Sequence, residues 1–529
     1  MITDLNLVDN VPSELFDVAI IGGGTCGLIL ADALLDKGLR VGVFESGGAA
    51  QSDSTNVLND VEQTGDHYRG SSAGRMRALG GTSLIWGGAL IPFLENDISK
   101  RDYLNLDSWP IHYSEFTKYI PELESLFELQ SGSYESEYMG DASINPLKDD
   151  PSFKNRFAKW PRFSIRNTSN LVGKKISKSE HLTVYLNGTV DSFTESTDDS
   201  VSVTNIGVKR LDGVNFSFSA KKFVIAAGAI ESTRLLLLRQ AAGSSAISSA
   251  NESLGRGFND HICVRAAEIL VKDATALNRL IGFRFHGKTM RSHRFEVSEE
   301  EQKSSGMASA WVHISFEAPG NSAFGTIREI MQVAQGGALP SFKSLFRMLI
   351  DLPYIGRMIF WRVFRRQLLA PKGSRFFVNL VGEQLPKVNN YIKLAESRDL
   401  LGVQIPQIHW RVGDDDLATL HRTGLLFEKY WSSYYRDSIG RLEWVCDLET
   451  GFNSSLVSGS DIFHPSGTTR MAECSEKGVV DGNLLVFGTN NLYVLSTSVF
   501  PNGASANPTM MLLLLALRLG SHLSEPLNN

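Results

Sequence analysis

The sequence has few cysteines, and none of them is arranged like a disulfide framework or a metal site. Cys26, Cys263, Cys446 and Cys474 are scattered over 529 residues without a CxxC pair or the Cys/His spacing of a zinc site. This usage favours a reducing compartment. The first residues lack the basic region and apolar core of a secretory signal, so we expect a cytoplasmic protein. No metal site is expected.

Long apolar runs and an overall basic charge are also missing. The longest fully apolar run, MMLLLLAL at 510–517, is far shorter than the ~20 residues of a membrane-spanning helix. A formal net charge of −6 does not indicate a nucleic-acid-binding protein, which typically carries an excess of basic residues. With 42 % hydrophobic and 21 % charged residues, the composition is that of a globular protein, and the length predicts two or more domains.

Basic charge is concentrated in one stretch, residues 338–375, which we call the basic segment. It carries eight basic residues and one acidic residue, Asp351, so its charge is +7 and that of the remainder is −13. Large apolar residues are interleaved with the charges. The pattern predicts either helices that lie on an anionic membrane or cover a partner, or a helical pair that folds over a core and breaks at 351–353.

A strand-loop-helix-strand unit near the start predicts a dinucleotide site. The apolar run 16–21 is typical of a strand buried on both faces, and a GGGTCG loop follows it at once. We expect a helix over about 28–35 and a second strand over 40–44. Glu45 follows this strand, where an acidic residue can accept a ribose hydroxyl.

The glycines of the loop have the GxGxxG spacing. Gly22, Gly24 and Gly27 permit a tight turn and a close approach of the backbone to a pyrophosphate. The acidic Glu45 disfavours a 2′-phosphate, so FAD or NAD is expected rather than NADP. The loop alone does not separate FAD from NAD.

Two residues near the end of the chain are candidate catalytic groups. His464 lies in a segment of Ser, Thr, Gly and Pro, so turn chemistry presents its ring, as for a catalytic or a hydrogen-bonded loop histidine. Asn507 precedes Pro508 and an apolar run, which predicts a helix with Asn507 as its cap. An asparagine here is equally an amide donor at the positive end of a helix.

Six separated segments resemble the glucose-methanol-choline (GMC) family of FAD-dependent alcohol oxidoreductases, and they occur in the family's order. The segments are GRMRALGGTSLIWGG at 74–88, KFVIAAGAIESTRLL at 222–236, LGRGFNDH at 254–261, EQLP at 383–386, FHPSGTTRM at 463–471 and SVFPNGASANP at 498–508. The resemblance implies an α/β fold with a Rossmann-like FAD-binding domain that is discontinuous in sequence. It also implies a second, α+β substrate-binding domain built on an antiparallel sheet.

The resemblance predicts domain boundaries as well. The FAD-binding domain is expected over 14–95, 176–263 and 456–529, and the substrate-binding domain over 96–175 and 264–455. Alternation over 201–209 and 214–218 around Asp212-Gly213 predicts a hairpin in the middle cofactor segment.

The resemblance assigns cofactor contacts residue by residue. The residues expected to hold FAD are Gly22, Gly24, Gly27, Glu45, Arg77, Gly80, Gly81, Thr82, Ser83, Val190, Gly228, Ser496, Pro508 and Thr509. Ser496 stands where many relatives have an aspartate. Ile85 stands where several have a histidine bonded to the flavin, so FAD is expected without a covalent link.

For the reaction, the resemblance implies that His464 removes the hydroxyl proton of an alcohol while hydride passes to flavin N5. Asn507 would orient the substrate oxygen. Trp86 and Gln384 are candidate pocket residues. We expect His261 to serve packing and hydrogen bonding near the cofactor.

The substrate expected first is the CH–OH group of a sugar, glycoside or cyclitol, because GGTSxxWGG and PNGxxANP resemble the sugar-oxidising branches of the family. A hydrophobic alcohol delivered from a membrane is the alternative. An NAD-dependent dehydrogenase and a flavoprotein lyase or non-catalytic binder are rival functions. The electron acceptor, whether oxygen, a quinone or a redox protein, is left open.

Overall fold

The computed structural model describes residues 1–11, 14–135, 146–196, 201–244, 247, 252–320, 322–453, 457 and 459–525. The strands are β1 (Ile2–Asp4), β2 (Leu15–Ile21), β3 (Val41–Phe44), β4 (Glu62–Gly65), β5 (Phe153–Trp160), β6 (Leu182–Leu186), β7 (Thr189–Ser196), β8 (Ser202–Lys209), β9 (Asn215–Ile225), β10 (His261–Val271), β11 (Arg284–His286), β12 (Thr289–Val297), β13 (Ala310–Glu317), β14 (Arg375–Glu383), β15 (Tyr391–Arg398), β16 (Gln404–Trp410), β17 (Gly440–Trp444) and β18 (Leu492–Val494). The helices are α1 (Thr25–Leu35), α2 (Asp53–Asn56), α3 (Glu95–Ile98), α4 (Ser114–Thr117), α5 (Ile120–Leu126), α6 (Phe163–Arg166), α7 (Thr168–Lys178), α8 (Gly228–Ala241), α9 (Ala274–Ile281), α10 (Glu299–Ser305), α11 (Ala323–Val333), α12 (Phe342–Ile350), α13 (Leu352–Phe360), α14 (Asp414–Tyr434) and α15 (Thr509–Ser524).

The first sheet carries the predicted dinucleotide unit. Its strand order is β1-β6-β3-β2-β9-β8-β7, and β18 pairs with β9. The five strands β1, β6, β3, β2 and β9 run parallel to one another. At the other end of the sheet, β8 pairs in antiparallel fashion with both β9 and β7. At the centre, Ile20 of β2 lies between Val43 of β3 and Val224 of β9, and all three are fully buried. The Rossmann-like strand-helix-strand unit and the hairpin are confirmed.

Helices α1 and α15 pack against each other beside this sheet. The α15 side chains from Met510 to Leu517 are nearly all buried, which explains why this run is apolar on most of its faces. The helix begins at Thr509, and its cap residue is Pro508 without a side-chain cap bond. The expectation that Asn507 caps this helix is therefore wrong, because the Asn507 amide lies against His464 instead.

The second sheet is antiparallel, as predicted. Its order is β11-β12-β13-β14-β10-β17, and β5 pairs with β12. Helix α14 packs on β13 and β14, and its buried Phe427 and Trp431 complete a second hydrophobic core. Strand β10 opens with His261, so this sheet delivers one residue of the candidate site directly.

A small third sheet joins regions that the predicted boundaries separate. In it, β16 pairs with β15 in antiparallel fashion and with β4 in parallel fashion. Strand β4 lies inside the predicted range 14–95, whereas β15 and β16 lie inside 264–455. Strand β1 precedes residue 14 yet pairs with β6 of the first sheet. The boundary at 456 lies outside the described residues, and the division into domains stays a prediction.

The basic segment forms helices α12 and α13, broken at Asp351 as predicted, and a π-helical turn at Trp361–Arg365. Only part of its apolar surface is used for packing. Tyr354 and Leu369 are buried with Ala323 of α11 in a separate small cluster, while many other apolar side chains of the segment are exposed. Among the described residues, no helix is both long and apolar enough to cross a membrane.

Candidate active site

The glycine loop between β2 and α1 brings three pieces of backbone into close contact. Gly22 has φ +112°, and a Cβ there would lie 2.6 Å from the carbonyl oxygen of Ala226. A Cβ on Gly81 would lie 2.8 Å from Cα of Gly24. Only glycine fits at Gly22 and Gly81. The absence of a side chain there lets the loop after β2 lie directly against the loop after β9 and against the 74–88 segment.

These loops border a cleft at the carboxyl ends of the central strands. The predicted residues that line it are Gly22, Gly24, Glu45, Arg77, Gly81, Thr82, Val190, Gly228, Pro508 and Thr509, together with His464. Gly24 caps α1 without a side-chain bond, so the first N–H groups of α1 are open to an anion. The cleft therefore offers what a dinucleotide needs, with N–H donors for phosphate and a carboxylate for ribose.

Glu45 is held in place by the loops on both sides of it. Its Oε2 accepts the N–H of Gly23 at 2.9 Å and its Oε1 accepts that of Gly47 at 2.8 Å. Oε2 keeps a further lone pair, whereas Oε1 also accepts the Ser46 hydroxyl at 3.4 Å. Burial outweighs these bonds and raises the pKa of Glu45 above its usual value.

Four predicted cofactor residues do not line the cleft. Gly27 lies against the backbone of Gly22, and Gly80, with φ +99°, would place a Cβ 2.5 Å from Asn167. Ser83 is buried and donates to the carbonyl of Gly80. Ser496 is buried beside Ser498, to which its hydroxyl is hydrogen-bonded. In this structure these four residues shape the loops around the cleft rather than its surface.

Arg77 belongs to a charge cluster that the sequence did not reveal. Its guanidinium donates to Asn59, Ser46 and the carbonyl of Leu58, and it lies 3.2 Å from Glu231. Arg75 also pairs with Glu231, at 2.9 Å. Although burial acts in the opposite sense, Arg77, Arg234 and Arg75 lower the pKa of Glu231 to about 2. Glu231 thus stays ionised and ties the 74–88 segment to α8.

The two candidate catalytic residues meet at the edge of the cleft. The Asn507 amide Nδ2 lies 3.3 Å from Nε2 of His464. The loop carrying His464 is fixed by its own N–H, which donates to Asp260 at 2.8 Å. Thr497 also donates, to the carbonyl of Pro465 at 2.6 Å. The pairing that family resemblance implied is therefore present as a contact between two side chains.

His261 sets the proton position on His464. Its Nε2 lies 2.9 Å from the carbonyl oxygen of Ala504, which only accepts, so His261 carries its proton on Nε2. His261 Nδ1 is then an acceptor, and it lies 3.2 Å from Nδ1 of His464. His464 therefore donates from Nδ1, and its Nε2 keeps a lone pair toward Asn507.

Charge and burial keep both imidazoles neutral. Burial lowers the pKa of His261 to about 4. Burial, together with the neighbouring His261, holds the pKa of His464 well below its usual value. A neutral His464 is ready to accept a proton throughout the physiological range of pH.

The pair rests on buried acidic groups behind it. Glu383 accepts the N–H of Ala504 at 2.9 Å and forms a two-pronged ion pair with Arg101 at 2.7 Å, with both side chains fully buried. Asp260 accepts the Tyr68 hydroxyl at 2.8 Å as well as the N–H of His464. Burial and the nearby Asp461 raise the pKa of Asp260 to about 7.

Two non-glycine residues beside the site have left-handed backbone conformations. Phe463 has φ +66° and Ala504 has φ +58°. Phe463 immediately precedes His464, and its exposed ring lies under the guanidinium of Arg69 at 5.3 Å. Strained backbone of this kind persists where the surroundings fix it, and here it directs His464 and the Ala504 carbonyl.

The two candidate pocket residues have structural contacts. Gln384 is fully buried, accepts from Trp410 at 2.7 Å, and donates to the Arg411 carbonyl at 3.0 Å. It holds the third sheet against the rest of the chain and does not line the cleft. Trp86 is half-buried and donates to the Arg166 carbonyl at 2.9 Å.

Comparison with known proteins identifies a family for the C-terminal part of the chain. Residues 386–516, which include His464 and Asn507, match the family model described as GMC oxidoreductase. Residues 386–516 thus correspond to the C-terminal domain of a GMC oxidoreductase. FAD is the cofactor of this family, and the cleft, with its open N–H groups, glycine contacts and Glu45, fits that cofactor.

Several solved structures share the fold over nearly their whole length. A pyridoxine 4-oxidase from Mesorbium loti is 14 % identical, with a TM-score of 0.60 over 96 % of this chain and 99 % of that one. A formate oxidase is 16 % identical, with a TM-score of 0.59 over 97 % and 99 %. A variant of the Aspergillus oryzae RIB40 formate oxidase, studied for FAD modification, is 15 % identical with a TM-score of 0.59 over 97 % and 99 %. No curated protein matches the sequence significantly. At these identities the likeness shows the fold alone.

Proposed function

We propose that this GMC oxidoreductase oxidises a CH–OH group to a carbonyl with FAD bound in the cleft. The observation that carries the proposal is the chain of contacts from Ala504 through His261 and His464 to Asn507, at the edge of that cleft. It leaves an unprotonated Nε2 beside an amide donor, and these are the two groups that alcohol oxidation needs.

The residues of the chain divide the work. His464 Nε2 accepts the hydroxyl proton, and Asn507 Nδ2 donates to the substrate oxygen as negative charge grows there. The first turn of α15 reaches the cleft at Pro508 and Thr509, where its positive potential stabilises negative charge. FAD, when bound, supplies the hydride acceptor at flavin N5.

For the substrate, we propose first a sugar, glycoside or cyclitol, on the GGTSxxWGG and PNGxxANP segments. A specific observation also supports an alcohol with an apolar part. A second cavity, of about 510 Å3, lies next to the 74–88 segment and is lined by Leu84, Ile85, Leu339 and Pro340 among others. The cavity is also lined by Glu329, Gln332, Gln335, Ser341 and Ser344, so it suits an alcohol that carries both polar and apolar groups.

The test is reduction of the bound flavin under anaerobic conditions. Purified protein is mixed with sugars, cyclitols and apolar alcohols while the flavin absorbance near 450 nm is followed, about where oxidised flavins absorb. Bleaching by an alcohol supports the proposal, and the responding group decides the substrate class. A protein without a flavin spectrum that instead requires NAD, or a flavin that every alcohol leaves oxidised, contradicts it. Admitting air and measuring peroxide, then trying quinones and redox proteins, identifies the acceptor.

The flavin itself is expected to be released by acid. Ile85 cannot form the covalent bond that a histidine makes at this position, and its side chain is half-exposed. After precipitation with trichloroacetic acid, all flavin absorbance should appear in the supernatant. Flavin that stays with the pelleted protein would show a covalent link through another residue.

Replacing His261 with phenylalanine is expected to slow flavin reduction by about 10- to 100-fold while FAD remains bound, as for other residues that orient a reactive group. The change removes the acceptor for His464 Nδ1–H. His464 can then carry its proton on Nε2 instead, and that tautomer cannot accept the substrate proton there. Stopped-flow reduction by the best alcohol measures the effect.

Two variants separate positioning from general damage. Asparagine at 261 places an oxygen close to where Nδ1 lies, so H261N should recover part of the rate. His313, a half-buried histidine whose pKa burial likewise lowers to about 4, provides the matched variant H313F, which should keep the rate. Equal rates for H261F and H261N would remove the tautomer argument.

A further inference from the structure

The apolar side chains that remain exposed are concentrated in and just before the basic segment. Half of the large exposed apolar side chains in the described part of the chain lie between residues 330 and 364. Leu339 and Phe342 are more than four-fifths exposed, at 82 % and 85 %. A patch of this density marks an interaction surface, because singly scattered apolar side chains are the norm elsewhere.

Helix α12 directs its apolar stripe away from the protein. Phe342, Leu345, Phe346, Leu349 and Ile350 follow the i, i+3, i+4, i+7, i+8 spacing of one helix face, and all five are exposed. That spacing normally identifies the face that packs on a core. In α12, the opposite side contacts α11 instead, where Thr326 donates to the Ser344 carbonyl at 3.0 Å.

Helix α13 and the π-helical turn after it repeat the arrangement. Tyr354 points inward, and its hydroxyl donates to the Leu369 carbonyl at 2.8 Å. Ile359, Phe360 and Phe364 are exposed by half or more. The segment is thus anchored by one side, while its other side carries exposed apolar residues, of which Phe360 and Phe364 contact each other with ring centroids 5.0 Å apart.

Most cations of the segment also lack internal counter-charges, and the exception is Arg375 at its end, which pairs with Glu268. Within the described chain, Lys343, Arg347, Arg357 and Arg365 take part in no ion pair. Asp351, the single acidic residue, accepts the N–H of Ala323 at 2.9 Å. A local charge of +7 against −13 for the remainder gives the molecule one basic face. Its complement is an anionic surface.

We propose that the basic segment docks this enzyme on the surface of an anionic lipid bilayer. The exposed Phe, Leu and Ile side chains lie at the boundary of headgroups and acyl chains, and the Lys and Arg side chains reach the headgroup phosphates. A protein partner fits less well, since charged residues are depleted from the core of protein interfaces, whereas here they alternate with the apolar ones. The acidic remainder of the surface is repelled and fixes the orientation.

Cosedimentation with vesicles tests the proposal. Holoenzyme is mixed with sucrose-loaded vesicles of phosphatidylcholine alone or with about one-third phosphatidylserine, at low and high salt. We expect at least about tenfold tighter binding to the anionic vesicles, and a marked loss at high salt. Binding that ignores lipid charge, or no binding, overturns the proposal.

Matched double variants locate the surface. F346S/L349S and R357E/R365E should each weaken binding to anionic vesicles by about tenfold or more. The controls change equally exposed residues elsewhere, V388S/L400S for apolar side chains and K174E/K178E for cations, and should bind like the parent. Flavin absorbance and thermal unfolding verify that each variant is folded.

Measuring the oligomeric state tests whether a second copy of the chain, rather than a membrane, covers this surface. If F346S/L349S turns a dimer into a monomer and vesicle binding does not depend on phosphatidylserine, the surface is a protein interface and the proposal is wrong. Equal loss of binding in the control variants also overturns it.

Discussion

Replacing His464 with alanine is expected to leave FAD bound and to slow reduction of the flavin by substrate about 10²- to 10⁴-fold, the usual contribution of a general base. His464 lines the cofactor cleft but its ring is not the main support of the loop, because its own N–H and the Thr497 hydroxyl bonds hold the backbone. Anaerobic stopped-flow absorbance gives the rate, and the flavin-to-protein absorbance ratio gives FAD occupancy.

The pH profile provides a second reading of the same prediction. Because the pKa of His464 is held well below its usual value, the parent enzyme should keep its kcat/KM as pH falls through ~6.5, the ordinary histidine pKa, and lose it only at lower pH. The alanine variant should lack this acid-side loss. His181, which is exposed, supplies the control variant H181A with an unchanged rate. Near-normal reduction in H464A would rule out His464 as the base.

Replacing Glu383 with alanine is expected to lower the free energy of unfolding by about 3–5 kcal/mol, the cost of leaving one partner of a buried ion pair uncompensated. Arg101 and Glu383 are both fully buried, and the same carboxylate holds the N–H groups of Ala504 and Ser309. Urea unfolding followed by fluorescence measures the loss. The rate of flavin reduction should fall too, because Ala504 positions His261.

An exposed ion pair serves as the control. Arg375 and Glu268 form a similar contact, but the Arg375 side chain is 62 % exposed, so E268A should cost less than about 1 kcal/mol. Replacing both buried partners, as in R101M/E383M, should be less damaging than E383A alone, because no charge is stranded. A loss in E383A no larger than in E268A would contradict the assignment.

Acid should weaken this pair. Burial alone would raise the pKa of Glu383, but the Arg101 guanidinium outweighs it, so the pKa lies below its usual value. Stability from the pair is therefore present above the pKa of an unfolded glutamate, ~4.3, and is lost as pH falls below it.

Local patterns were sufficient for the secondary structure around the cofactor loop. The predicted strand, glycine loop, helix and second strand correspond to β2, α1 and β3, because apolar runs and glycine requirements act over a few residues. The break of the basic segment at Asp351 followed from Pro353 in the same way. The family match covers His464 and Asn507, which the sequence had already singled out as a pair.

Long-range contacts were beyond those patterns. His261 and His464 are 203 positions apart, and no local signal showed that their Nδ1 atoms lie 3.2 Å from each other. Expecting His261 to make hydrogen bonds was reasonable, but its partner and the resulting tautomer come from the meeting of β10 with the 463–471 loop. Gln384 shows the converse, since the sequence made it a candidate pocket residue and the structure places it in buried bonds to Trp410 and Arg411.

The basic segment shows most clearly where sequence ends and tertiary structure begins. The sequence alone determined that its helices are amphipathic and basic, because helical periodicity and charge are local properties. It could not determine which way the apolar face of α12 points, since an i, i+3, i+4 stripe is the same whether it packs inward or faces water. Only the packing of Ser344 on α11 decided that, and it placed Phe346 and Leu349 outside. The same holds for the candidate active site: the family resemblance named His464 as the expected base, and the folding together of distant segments brought it to His261.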